Sequence, residues 1–68
     1  MWHDVSELPK EYKDIVVITE DNVYSGCINK YKRFVVNEID SYNEASFQDF
    51  VVKWCYQEDL IKQAIGEN

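Results

Sequence analysis

Large apolar side chains recur at every second position near the end of the chain, where Phe50, Val52, Trp54 and Tyr56 alternate with Val51, Lys53 and Cys55. Successive side chains of an extended chain point to opposite faces, so this spacing predicts a strand over Phe50 to Tyr56 that turns four bulky groups toward one core. Directly afterwards the period changes. Leu60, Ile61, Ala64 and Ile65 repeat at three-to-four spacing, which predicts a helix carrying the same buried surface onward. The helix is expected from about Glu58 to Ile65, within a C-terminal unit of residues 57–66. Glu58 and Asp59 suit the positive end of its dipole, Glu58 stands four residues ahead of Lys62, and Gly66 is placed to stop it.

Upstream, Ile15 to Thr19 is almost uniformly β-branched, the pattern of a strand covered on both faces and therefore central in its sheet. Glu20-Asp21-Asn22 supplies turn chemistry, and Val23 to Asn29 returns as a second strand of a hairpin. Gly26 within it marks a bulge or a close backbone approach. Lys30-Tyr31-Lys32-Arg33 forms a second turn before a third strand, Phe34 to Val36. Asn37 to Gln48 is a polar and acidic connection with Ile39 and Tyr42 among its apolar members; Asp40 or Ser41 is placed to cap a short helical turn there. Residues 1–14 read as an extended arm, because Leu8 precedes Pro9 and a residue before proline is pushed out of the helical region. Trp2 and Val5 are its expected anchors. The predicted fold is α+β: one domain over residues 1–68, with an antiparallel sheet of three to four strands and one C-terminal helix packed on it.

Composition narrows the function more than it defines it. The chain has 68 residues, 15% of them aromatic, with two Gly and one Pro, so it folds around one small core rather than staying disordered. Thirteen acidic residues against seven basic give a net charge of -6, which repels a phosphate backbone and argues against direct nucleic-acid binding. No apolar run approaches the roughly 20 residues of a membrane span. Met1-Trp2-His3-Asp4 has neither a basic cluster nor an apolar signal core, so a cytoplasmic location is the expectation.

Candidate chemistry is sparse. His3 is the single histidine and lies in the arm, so no serine or cysteine can be given a base. His3, Cys27 and Cys55 fall short of the four ligands of a closed zinc site. Cys27 and Cys55 read as free thiols, with a bridge open to them only if their strands are neighbours. Asp40 and Asp49 have the chemistry of an acid and base pair but no spacing that fixes them. Gly-rich phosphate loops are absent. No enzyme activity, cofactor or metal is expected.

Two segments remain as candidate interaction surfaces. Loops held on a rigid scaffold commonly carry function, which singles out Glu38, Asp40, Tyr42 and Glu44. Tyr31 and Arg33 in the basic turn offer an anion contact with a stacking platform, against the plainer reading of a charged tip that discourages aggregation.

Trp2 and Val5, Leu8-Pro9, the Val-rich stretch Ile15 to Ile18, and Val51 with Trp54 make up the pattern W-x-x-V, L-P, a short Val-rich strand and V-x-x-W. With these the chain resembles a small family widespread in phages and prophages, known only as a domain of unknown function (number 551). The resemblance implies a mobile-element origin and carries over no catalytic residue. The first functional expectation is a small non-catalytic module that binds another protein, or itself as a homodimer, through a sheet edge or the Asn37 to Gln48 loop. A second is an acidic decoy in which Glu38, Asp40, Glu44 and Asp49 imitate phosphates for a nucleic-acid-binding protein. A third, a minimal enzyme or ligand carrier, requires a concave pocket.

Overall fold

The computed structural model describes residues 1–40 and 42–66. Strand β1 (His3–Asp4) is followed by β2 (Ile15–Ile18), β3 (Val23–Ile28), β4 (Phe34–Val36), helix α1 (Glu44–Phe47), a 3₁₀ turn (Gln48–Phe50), β5 (Lys53–Tyr56) and helix α2 (Gln57–Ala64). The strands form one antiparallel sheet in the order β1-β5-β2-β3-β4. The β-branched run Ile15–Ile18 is the central strand, as its composition predicts. The α+β class stands, with five strands instead of three or four because the N-terminal arm contributes a two-residue edge strand to β5.

One face of the sheet carries the main core. Ile15, Val17, Phe34, Val36 and Trp54 point to it and meet Phe47 and Val51 from the α1 side, with Tyr24, Ile39 and Tyr56 at the margin. Phe47 stands edge-on to Tyr24, 5.2 Å between centroids. The opposite face is covered more thinly. Val16 and Cys55 are buried there, beside α2, which packs on β2 and β5.

Gly26 marks a close approach, since a Cβ built on it would stand 2.0 Å from the Val35 carbonyl oxygen across the strand pair. No side chain fits there. The acidic first turn of α2, Lys62 in its last turn and Gly66 with φ +82° follow the predicted end signals.

Three expectations are corrected. Phe50 and Val52 are not core strand residues: the chain curls through the 3₁₀ turn, leaving Phe50 64% exposed and Val52 47% exposed, and turns Val51 inward instead. Only Trp54 and Tyr56 of the alternating set face the core. In α2, Gln57, Asp59 and Leu60 are half-buried and every described residue from Ile61 onward is exposed. The helix begins directly where β5 ends, so only its first turn lies over the sheet. Val5 does not anchor the arm, being exposed. His3 and Pro9 do: His3 stacks on Trp54 at 4.4 Å, Pro9 is buried, and Trp54 Nε1–H donates to the Glu7 carbonyl at 2.7 Å. Trp2 is half-buried, with Lys53 Nζ 5.7 Å from its ring centroid.

Both sheet edges are blunt. β1 is two residues long. At β4, Phe34 N–H donates to Gln48 Oε1 (2.7 Å), while Gln48 Nε2–H donates to Phe34 O (2.8 Å) and Glu44 O (2.9 Å). A side-chain amide thus pairs with the edge strand as another strand would, removing a template for strand addition.

Candidate functional site

The turn between β2 and β3 is fixed by one threonine. Thr19 Oγ1 accepts from Asn22 N–H (3.1 Å) and Asp21 N–H (3.4 Å), and Asn22 Oδ1 accepts from Val23 N–H (2.8 Å). This frees the side chains of Glu20 and Asp21 to point into solvent, where both residues are exposed. Facing them is the α1 segment. Asp40 Oδ1 accepts from the backbone N–H and side-chain amide of Asn43, both at 3.0 Å, and Ser46 Oγ–H donates to Asn43 O. Asp40 therefore holds the turn before α1 and does not cap the helix itself, whose N-cap is Asn43 with no side-chain cap bond; Ser41 lies outside the described residues. Val52 N–H donates to Ile18 O at 2.8 Å, which ties the end of this segment to the sheet.

Between the two walls lies an open groove of about 550 Å³. Tyr24, Ile39, Phe47 and Val51 make its floor, and Phe50 and Val52 stand on its rim. Glu20, Asp21 and Asp49 line it as well, with no Lys or Arg. An apolar floor with an exposed aromatic ring holds an apolar group; three carboxylates beside it select a cation. The groove lining holds no histidine or cysteine, so it offers no nucleophile and base pair.

The six residues singled out from the sequence do not form one surface. Glu38 and Asp40 are exposed, Tyr42 is 91% exposed, and Glu44 is half-buried in the first turn of α1. Tyr31 and Arg33 are exposed in the β3–β4 turn. The register sets Ile18 against Val23 at one end of the sheet and Ile28 against Phe34 toward the other, so this turn and the groove lie at opposite ends. Sequence reasoning missed Glu20, Asp21, Phe50 and Val52. In the sequence the first pair carries only turn chemistry, and the second fits the strand pattern.

Elsewhere a hollow of about 200 Å³ beside α2 contains the ion pair Lys13–Glu58, 2.6 Å apart. The hydrogen bond between them, with their mutual charge, holds the Glu58 carboxyl below its usual range and pushes Lys13 above its own. Cys27 and Cys55 are free; β3 and β5 flank β2 on opposite sides, so they are not neighbours. Burial pushes the Cys55 thiol up. Among the described residues no three His, Cys, Asp or Glu side chains gather as a metal site, and no helix is long and apolar enough to cross a membrane.

No protein-family model matches the chain, and neither a curated protein nor a solved structure matches it.

Proposed function

We propose that this chain is a small non-catalytic protein-interaction module of phage or mobile-element type, working in the cytoplasm, and that it engages its partner through the groove between the β2–β3 turn and the α1 segment. The observation that carries this reading is Phe50, a large apolar ring left in solvent beside carboxylates with no ion-pair partner among the described residues, in a domain too small to leave such area exposed without cost. The blunted edges favour the groove over strand addition. Of the residues that carry the resemblance to the phage family, Ile15, Val17, Val51 and Trp54 share the core, while Val5 and Leu8 are exposed.

An acidic decoy asks Glu38, Asp40, Glu44 and Asp49 to present one free negative face. Asp40 is committed to Asn43 and Glu44 is half-buried, which favours the module. The test is photo-cross-linking in producing cells, with benzoylphenylalanine placed at position 50 or, as a control on the other face, at position 61. The module gives discrete cross-linked polypeptides from position 50 that are absent from position 61. Identical patterns from both positions, or none from position 50, overturn it.

A further inference from the structure

We propose that the groove's occupant is the β3–β4 turn of a second copy of this chain, so that copies join head to tail. This deepens the groove reading and rests on it. Charge is distributed end to end. Among the described residues Glu7 is bonded to His3, Glu11 to Lys32 and Glu58 to Lys13, and Glu20, Asp21 and Asp49 are among the remaining carboxylates, which have no ion-pair partner. They line the groove at one end of the sheet; Lys30, Lys32 and Arg33 gather in the turn at the other.

The turn is shaped for insertion. Asn29 Oδ1 accepts from the N–H groups of Tyr31 (2.9 Å) and Arg33 (3.1 Å), and Asn29 O accepts from Lys32 N–H (3.0 Å). Tyr12 Oη accepts from Lys30 N–H at 3.3 Å. A loop held this way loses little freedom on binding. It presents Tyr31, 70% exposed, with Lys30 Nζ 5.2 Å from its ring centroid. Lys32 is engaged by Glu11, which leaves Lys30 and Arg33 to meet the carboxylates of a neighbour. A tyrosine ring with a guanidinium beside it suits a groove of about 550 Å³ that offers Phe50 for stacking and Asp49 for a planar ion pair. Turn and groove are different surfaces held apart by the sheet, so the contact is heterologous. Each added copy leaves one turn and one groove open, unless rotation closes a ring.

The test uses purified full-length chain in light scattering coupled to size exclusion over a range of concentrations. The groove variant is Asp21→Lys with Asp49→Lys; the turn variant is Tyr31→Ser with Arg33→Glu. All four positions are exposed, so both should keep the parent's melting temperature when measured at a concentration where the parent is monomeric. The parent's mass is expected to rise with concentration, with association about tenfold weaker when salt is raised from 0.05 to ~0.5 M. Each variant alone stays at the mass of one chain, and an equimolar mixture of the two gains mass, since one supplies the turn and the other the groove. A parent that stays monomeric at every concentration overturns the proposal. So does a turn variant that associates like the parent, or a mixture that stays monomeric. Such a result, together with a different protein cross-linked at position 50, removes the second copy and leaves the module reading; no cross-link at all removes both.

Discussion

Gln48 closes the β4 edge with one side chain, and its replacement isolates that contribution. Gln48→Ala removes the bonds to Phe34 N–H, Phe34 O and Glu44 O, at 2.7, 2.8 and 2.9 Å. Each hydrogen bond is worth about 0.5 to 1.5 kcal/mol net. Water reaches an edge strand and replaces part of this, and about 1.5 kcal/mol of side-chain entropy is recovered when the ordered glutamine is gone. The expected loss is about 1.5 kcal/mol at the middle of these ranges and at most about 3 kcal/mol, against about 3 to 10 kcal/mol of total stability for a chain of this length. In a domain this small each kcal/mol moves the melting temperature by about 4 to 8 °C, so the variant should melt roughly 10 °C below the parent by far-UV circular dichroism. Gln48→Glu sharpens the test because it keeps the shape. A carboxylate still accepts from Phe34 N–H but faces Phe34 O and Glu44 O with no hydrogen to give. That variant should be destabilised at neutral pH. It should approach the parent as pH falls below about 4.3, where the protonated carboxyl donates again. A Gln48→Ala protein melting within about 2 °C of the parent, or a Gln48→Glu protein indistinguishable from it at neutral pH, would refute the claim that this amide holds the edge.

Two further outcomes follow from the core and the ion pair. Trp54→Ala should cost about 3 to 5 kcal/mol and leave the chain largely unfolded, because it empties a buried site, unstacks His3 and strands the Glu7 carbonyl; Trp54→Phe keeps a ring against His3 and should be intermediate in urea denaturation, and equal midpoints for both variants would count against the stacking. Because its folded-state pKa is depressed, Glu58 contributes stability above its ordinary titration range that is lost as pH falls through the lowered value, while Lys13, raised, contributes below its ordinary value and loses this as pH rises through the raised one; Glu58→Gln should flatten the acid limb of melting temperature against pH, and parallel acid limbs would show that the pair adds nothing.

Much of the sheet is legible in the sequence because several local signals agree there. Ile15–Ile18 is β-branched throughout, Glu20 to Asn22 is turn chemistry, and the observed β2, β3 and β4 fall within a residue of their predicted bounds. Helix α2 is legible for the same reason, its charges and terminal glycine all pointing one way. β1 is not, because a strand of two residues exists through its pairing with β5 and has no pattern of its own. The stretch from Glu44 to Val52 fails differently. A four-residue helix and a 3₁₀ turn carry too few residues for periodicity, so the apolar spacing of Phe50, Val52, Trp54 and Tyr56 extends a real strand backward into a curl.

The same curl hides the groove from the sequence, for a physical reason. Its carboxylates come from two segments about thirty residues apart in sequence, Glu20 and Asp21 in a hairpin turn and Asp49 in the 3₁₀ turn, and neither segment is a site alone. What joins them is register: β5 pairs with β2 so that Ile18 lies opposite Lys53, and the next hydrogen bond, from Val52 N–H to Ile18 O, sets the end of the curl beside the turn. Had Phe50 continued β5 as alternation suggests, its ring would lie in the sheet and the groove would lose its exposed aromatic rim. The exposed ring is therefore a consequence of the curl, and the curl is held from both ends, by Gln48 on β4 and by Val52 on β2. Stability and binding are linked through it: a variant that frees Gln48 should also loosen the wall that carries Asp49 and Phe50.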